Sequence, residues 1–224
     1  MGPSSASGNN YRMLRKVIDL CDRWPLPAWG CLALVLYAIH GGWHLLSIGQ
    51  PYELLWACHL GNMAVVIGLL TKCRWLNAVG TLILFVGLPL WFINLFTGGR
   101  LIFTSPVMHV GGPLMGLVGI YRLGLPDRDW LIALVLITFV ILLCLVATPY
   151  DQNINLAHHE WKPLEVLGVP PQFRIAFLLA RWVVLLSTTE LMLCWILRKA
   201  KWDDPATSAL TGNLSLDRLS TSSQ

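Results

Sequence analysis

The chain alternates long apolar runs with short polar connections. Six runs have the length of about 17 to 25 residues that an α-helix needs to cross a bilayer. They lie at 27–48, 52–70, 76–96, 106–122, 130–148 and 173–197. Because lipid offers the backbone no hydrogen-bond partners, each run is expected to be a helix that satisfies its own N–H and C=O groups. The pattern predicts an all-α, polytopic membrane bundle of six transmembrane helices.

Two polar ends flank the predicted transmembrane domain, which takes residues 27–197. Residues 1–26 are polar and then basic, and the helix after them is longer than the apolar region of a signal peptide. They are expected to form an uncleaved cytoplasmic segment. Residues 198–224 have too little apolar content to fold and predict a disordered cytoplasmic tail.

The composition agrees with a membrane protein. Hydrophobic residues make up 55% of the chain and charged residues 12%, and the mean hydropathy of +0.61 is far above that of a soluble domain. The six cysteines include no CxxC pair, so no disulfide framework or zinc ribbon is expected. Membrane lipids are the expected partners and nucleic acid is not, the oligomeric state stays open, and a bacterial source would place the chain in the cell membrane.

The basic residues indicate the orientation, because cytoplasmic connections are enriched in Lys and Arg. With the N-terminus inside, the outer connections hold only Arg100, Lys162 and Arg174, and Arg181 lies within the last helix. The remaining twelve of the 16 basic residues fall inside: Arg12, Arg15, Lys16, Arg23, Lys72, Arg74, Arg122, Arg128, Arg198, Lys199, Lys201 and Arg218. Both termini are therefore predicted to be cytoplasmic.

In this orientation all six histidines fall toward the outer side. They are His40, His44, His59, His109, His158 and His159. Ionisable side chains at membrane depth are costly and are functional candidates by default. Because these histidines come from separate segments, they predict one polar site near the outer interface, open to water or lipid headgroups.

A metal is one interpretation of that site. His40 and His44 are four residues apart, so both project from one face of a helix, as two ligands of one ion do. One of His59, His109 or His158 would supply a third ligand, with zinc or iron as the metal. Packing between helices explains the same spacing equally well, and no cofactor is expected if the site works through a thiol.

A thiol is the other interpretation, in the stretch LLWACHLGN. Cys58 and His59 are adjacent, and neighbours on a helix diverge by about 100°, so a base for Cys58 must come from another helix. His109 is the first candidate and His44 the second. Asn62, three residues after His59, is expected to orient its ring. A lone cysteine in a membrane helix is also a common apolar filler.

Other polar residues are expected to bind substrate or support the fold. Arg181 and Glu190 are nine residues apart and lie on opposite faces of the last helix, so they are not expected to pair. Arg181 is predicted to bind a phosphate or carboxylate headgroup, and Glu190 to form a polar seam between helices. The outer loop with His158 and His159 is predicted to cover the site.

The order of these elements resembles the bacterial YwaF-type integral-membrane family. The likeness rests on Cys58-His59 opening the second helix, the stretch MHVGG opening the fourth, and NINL after the fifth. That family is similar in layout to androgen-induced-gene-type hydrolases of fatty-acid esters and to a cysteine-dependent transmembrane phospholipid acyltransferase. The resemblance implies that Cys58 is the nucleophile and His109 the base.

Two enzymatic readings and one non-enzymatic reading follow. In the first, a lipid acyl hydrolase or acyltransferase uses Cys58 and His109, with His59 or Arg181 stabilising the oxyanion or the headgroup. In the second, a membrane metallohydrolase uses His40 and His44. In the third, the chain is a transporter or assembly protein. A haem carrier is disfavoured, because electron transfer across a bilayer needs ligands at both depths and these histidines lie at one.

Overall fold

The structure is a computed structural model that describes Asp19 and residues 21–47, 51–97, 102–158 and 168–202. The described part is helical, with no β-strand. Its long helices are α1 (Leu26–Ser47), α2 (Ala57–Thr71), α3 (Arg74–Phe96), α4 (Ser105–Leu123), α5 (Asp129–Ala147) and α6 (Arg174–Trp202). The predicted disordered tail beyond 202, most of the N-terminal segment and His159 lie outside the described residues. The all-α prediction is confirmed.

Four of these helices are long and apolar enough to cross a membrane. They are α1, α3, α5 and the stretch Pro171–Leu197 that contains most of α6. Helix α2 is apolar but has only 15 residues. Helix α4 has 19 residues and contains Pro113 within its length. The described part therefore has a membrane protein's architecture, with four spans defined by length and composition.

Helix α2 begins later than its apolar run predicts. Residues Pro51–Leu55 form a 3-10 turn instead, and Trp56 has an extended backbone (φ −56°, ψ 137°) that separates the turn from the helix. Asn155, from the loop after α5, accepts a hydrogen bond from the backbone N–H of Ala57 at 2.7 Å. This side chain satisfies one of the N–H groups that a helix start leaves without an intrahelical partner.

Helices α2 and α3 form a closely packed hairpin. The chain reverses at Lys72, which has φ +58°, and the Cys73 N–H bonds back to the Gly68 carbonyl at 2.8 Å. A Cβ atom at Gly80 of α3 would lie 2.5 Å from the Gly61 carbonyl oxygen of α2. Small residues at such crossings let the two backbones approach, which is how membrane helices gain packing contact.

Helix α3 lies at the centre of the bundle and packs on α2, α4, α5 and α6. Its core side chains Leu82 and Ile83 are fully buried against Ile137, Ile141 and Leu186 of the two last helices. Helix α1 packs on α2 and α4 at the side of this core. Each of the six long helices therefore meets at least two others.

Two side-chain contacts identify the opposite ends of the bundle. At one end, the Thr104 hydroxyl just before α4 bonds His40 near the end of α1. At the other, Arg122 near the end of α4 donates to the carbonyl oxygens of Cys21 and Trp24, just before α1, at 3.0 Å each. We call the first the histidine end and the second the arginine end.

The arginine end contains a helix cap. The Glu190 carboxylate of α6 accepts the backbone N–H of Arg128 at 3.0 Å and of Trp130 at 2.7 Å, around the start of α5. A carboxylate at a helix N-terminus satisfies free N–H groups and complements the helix dipole. The contacts agree with the structural seam predicted for Glu190.

Candidate metal centre

Three imidazoles converge at the histidine end. His40 and His44 lie one turn apart near the end of α1, and His59 lies in the first turn of α2. One nitrogen from each ring belongs to a set whose atoms all lie within 4.8 Å of one another. The three side chains are 2%, 7% and 1% exposed. We refer to them as the histidine cluster.

The rings of the cluster are in direct contact. The His40 and His59 rings stack, with centroids 5.2 Å apart and an interplanar angle of 9°. The His44 ring stands edge-on to both, 4.5 Å from His40 and 5.3 Å from His59. Two nitrogen ligands of a tetrahedral zinc ion are about 3.3 Å apart, so the three rings, with ligand atoms within 4.8 Å of one another, would have to close around an ion.

The hydrogen bonds leave ring nitrogens available within the cluster. His40 Nδ1 bonds the Thr104 hydroxyl at 2.7 Å, which leaves Nε2 as its ligand atom. The Nδ1 atoms of His44 and His59 are buried and have no hydrogen-bond partner among the described residues. A buried polar atom without a partner costs free energy. Coordination to a metal would satisfy both nitrogens, and the Thr104 bond resembles the outer hydrogen bonds that orient metal-binding histidines.

His109 lies beside the cluster. Its ring centroid is 6.3 Å from that of His40, and the ring stacks on Trp91 of α3 at 4.9 Å. His109 Nδ1 is 3.0 Å from the Ser105 carbonyl oxygen. The Ser105 hydroxyl lies 3.1 Å from the same nitrogen, so Ser105 engages Nδ1 and Nε2 is the remaining ring atom for a substrate or a proton.

Cys58 and His59 occupy different surroundings. His59 belongs to the cluster, whereas Cys58 packs with the apolar residues around Val65, Leu69 and Leu84. Among the described residues, no side-chain hydrogen bond joins the Cys58 thiol to an imidazole. The roles predicted for Cys58 and His109 as nucleophile and base stay predictions.

The predicted orienting role of Asn62 differs from what the structure shows. Its Nδ2 donates to the Cys58 carbonyl oxygen at 2.8 Å, while His59 Nδ1 has no hydrogen-bond partner. The reason is that Asn62 lies one helical turn after Cys58, so its side chain reaches back to the carbonyl four residues earlier. His59 is instead flanked by Tyr37, at 5.9 Å between ring centroids.

The other predicted substrate-binding residues lie apart from the cluster. His158 Nε2 donates to the Thr148 carbonyl oxygen at 3.0 Å, which closes the loop after α5 on itself. Arg181 lies on α6 with its guanidinium 5.0 Å from the Phe177 ring centroid. Neither contact tests substrate binding, which stays a prediction for both residues.

Sequence reasoning did not identify three residues that shape this site. Glu53 has its Oε2 atom 4.0 Å from His44 Nδ1, Thr104 holds His40, and Trp91 supports His109. For Glu53 a signal exists: PYELLWACH carries a carboxylate six residues before His59 in a predicted outer segment. Thr104 and Trp91 have no such signal, because only the packing of α4 against α1 and α3 brings them near.

No protein-family model, curated protein or solved structure matches this chain.

Proposed function

We propose that the chain is a metal-dependent membrane hydrolase whose metal is held by His40, His44 and His59. The observation that carries the proposal is the convergence of three buried imidazoles with ligand atoms within 4.8 Å of one another. Two of the rings have an Nδ1 atom without a hydrogen-bond partner in the described part. Three histidines are a donor set used by zinc enzymes, because a neutral imidazole binds zinc and a further position stays open for water or substrate.

Each residue of the site has a separate role in the proposed reaction. A divalent ion bound there would polarise a carbonyl oxygen and lower the pKa of a coordinated water. The cluster binds and orients, Thr104 fixes the His40 ring, and His109 contacts the substrate beside the cluster through its Nε2 atom. Burial of the three ligands excludes bulk water, which strengthens each electrostatic interaction in the site.

The proposed substrate is the ester of a membrane lipid. Support comes from the position of the cluster at one end of a bundle of apolar helices, where an ester at the membrane interface would meet it. The resemblance in helix order to the YwaF-type layout also favours a lipid ester as the substrate.

The proposal includes six membrane crossings with both termini in the cytoplasm. Supporting it, the bond between Thr104 and His40 brings the start of α4 to the end of α1. If α3 crosses once between them, α2 has to cross as well. Among described residues, Lys72, Arg74 and Arg122 lie near the helix ends opposite the histidine end. This position agrees with a cytoplasmic side at that end, because cytoplasmic connections are enriched in Lys and Arg.

A cysteine mechanism has less support than a metal. Cys58 packs among apolar residues, and no described contact supplies it with a base, whereas three histidines lie together. The two mechanisms give opposite results for Cys58→Ser, which the metal mechanism tolerates and the thiol mechanism does not.

Metal content tests the proposal directly. The full chain, purified in detergent, stripped and reloaded with Zn²⁺ or Fe²⁺, is expected to retain about one equivalent by mass spectrometry. His40→Ala and His59→Ala are expected to lose it, while His158→Asn, an imidazole outside the cluster, keeps it. Uptake below about a tenth of an equivalent of either ion by the unchanged chain would overturn the proposal.

Activity is measured on phosphatidylcholine vesicles that carry a fluorescent acyl chain. Release of the fluorescent acid should require His40 and His59 and should persist in Cys58→Ser. If Cys58→Ser were inactive while His40→Ala remained active, the thiol mechanism would replace the metal mechanism.

A further inference from the structure

A carboxylate lies at the edge of the histidine cluster. Glu53 Oε2 is 4.0 Å from His44 Nδ1, and the two side chains are only 14% and 8% exposed. His44 Nδ1 has no hydrogen-bond partner in the described part of the chain. Adjacent donor atoms of one ion are about 3.0 to 3.4 Å apart, and Glu53 lies outside the set of atoms within 4.8 Å of one another, so its carboxylate would have to move toward the histidine cluster to share the ion.

The Glu53 carboxylate is held by a neighbour. Trp56 donates its indole N–H to Glu53 Oε2 at 2.8 Å. Glu53 lies in the 3-10 turn Pro51–Leu55, and Trp56 comes three positions later in the sequence. The tight turn therefore brings the indole over the carboxylate. Carboxylates that bind metals are commonly oriented by such an outer hydrogen bond.

The turn itself is anchored from another part of the chain. Asn155 donates its Nδ2 to the Leu55 carbonyl oxygen at 2.7 Å and accepts the Ala57 N–H at 2.7 Å. The segment that carries Glu53 and Trp56 is therefore fixed against α2, which carries His59. Ligands held by a fixed backbone lose little conformational entropy on binding an ion.

We propose that Glu53 is the fourth protein ligand of the metal, which adds one carboxylate to the three imidazoles and leaves a fifth position for water or substrate. This inference rests on the proposed metal site and names a donor outside the three-histidine set. A carboxylate adds a hard oxygen and a negative charge, so the complete set favours Zn²⁺, Fe²⁺ or Mn²⁺ over soft Cu⁺. The pairing of Thr104 with His40 and of Trp56 with Glu53 gives two of the four ligands an orienting partner.

The ligand role predicts how Glu53 variants bind Zn²⁺. Glu53→Gln keeps an oxygen that accepts the Trp56 N–H but loses the charge, and its affinity for Zn²⁺ in competition with a chelator should fall about 100-fold or more. Trp56→Phe, which removes only the orienting bond, should weaken Zn²⁺ binding about 10-fold, as outer-shell changes do. Glu53→Asp should recover part of the affinity. Asp151→Asn, an exposed acid in the loop after α5, should bind like the unchanged chain.

Cobalt gives a second reading that needs no substrate. With Co²⁺ in the site, the visible absorption reports the number and type of ligands, so Glu53→Gln should change its shape while Asp151→Asn does not. The metal-free forms should unfold at the same temperature, which separates ligand loss from misfolding.

The outcomes distinguish this inference from the function on which it rests. Glu53→Gln with unchanged Zn²⁺ affinity and an unchanged Co²⁺ spectrum would overturn the ligand role and leave the three-histidine site standing. A chain that binds neither ion, with Glu53 intact, would overturn the metal site itself.

Discussion

Asp129 is the least satisfied charged residue in the described part of the bundle. It is 0% exposed, and neither carboxylate oxygen has a hydrogen-bond partner. Glu190 and Asp127 repel a negative charge on Asp129, and Arg74 attracts it. Glu190 already accepts hydrogen bonds from the backbone N–H groups of the two residues that flank Asp129. An isolated charge in such a place is destabilising.

This arrangement predicts that Asp129→Asn stabilises the protein. The amide has no charge and can donate to Glu190, so the free energy of unfolding should rise by about 1 kcal/mol or more. Glu190→Ala should have the opposite sign, because two N–H groups at the start of α5 lose their acceptor.

Thermal unfolding of the purified chain in detergent measures both variants. A lower melting temperature for Asp129→Asn would mean that the carboxylate has a favourable partner in the folded protein.

At the residue scale, the sequence could identify candidates but not their partners. His40 and His44 were predicted as ligands because four-residue spacing fixes a shared helix face. That His59, rather than His109 or His158, groups with them depends on how α2 and α4 pack against α1, and no periodicity in one chain encodes that. Glu53 was missed because a carboxylate in a connecting segment looks like ordinary solvated surface.

At the scale of elements, the junction before α2 determines the site. The apolar run 52–70 predicts a helix that starts near residue 52, but the structure has a 3-10 turn to Leu55 and begins α2 at Ala57. Hydrophobicity finds the existence of a membrane helix well and its start poorly, since Pro51 and a side chain from a distant loop decide where the hydrogen bonds begin.

Asn155 is the residue on which this junction depends. It is 6% exposed, bonds both sides of the junction, and has φ +55°, a backbone conformation in which Asn is favoured over Ala. Asn155→Ala leaves the Ala57 N–H and the Leu55 carbonyl unpaired, and should lower the free energy of unfolding by about 2 to 3 kcal/mol.

Asn155→Asp provides the matched comparison. Its carboxylate still accepts from Ala57 but cannot donate to Leu55, so the loss from the missing donor should be smaller. Denaturation followed by circular dichroism compares the two. Equal stability of Asn155→Ala and the unchanged chain would show that water replaces both bonds.

At the scale of the whole molecule, the apolar pattern predicts six helices and the described part contains six long ones, of which four meet the length and hydropathy of a membrane span. Helices α2 and α4 fall short for different reasons. Helix α2 gives up its first residues to the 3-10 turn, and α4 carries His109, two prolines and small residues at its contacts with α3. The turn before α2 and the polar and small residues of α4 therefore contribute to the site and at the same time lower the length or hydropathy of these two helices.

The number of crossings can be tested at a position where four and six spans disagree. With six, Phe103 just before α4 lies outside the cell; with four, in which α2 and α4 do not cross, it lies inside. With the N-terminus placed inside, Trp24 lies inside and Tyr150 outside in both arrangements, so they serve as controls. All three are exposed at the surface, with exposed fractions of 87%, 49% and 67% for Phe103, Trp24 and Tyr150.

We expect Phe103→Cys to react with a membrane-impermeant maleimide added to intact cells, in a chain whose native cysteines are replaced by serine. Tyr150→Cys should react as well, and Trp24→Cys should react only after the cells are permeabilised. The reason is the bond between Thr104 and His40, which holds the residue after Phe103 against the end of α1. Protection of Phe103→Cys until permeabilisation would support four crossings. It would place the start of α4 and the end of α1 on opposite sides of the membrane, and would therefore contradict the bond between Thr104 and His40.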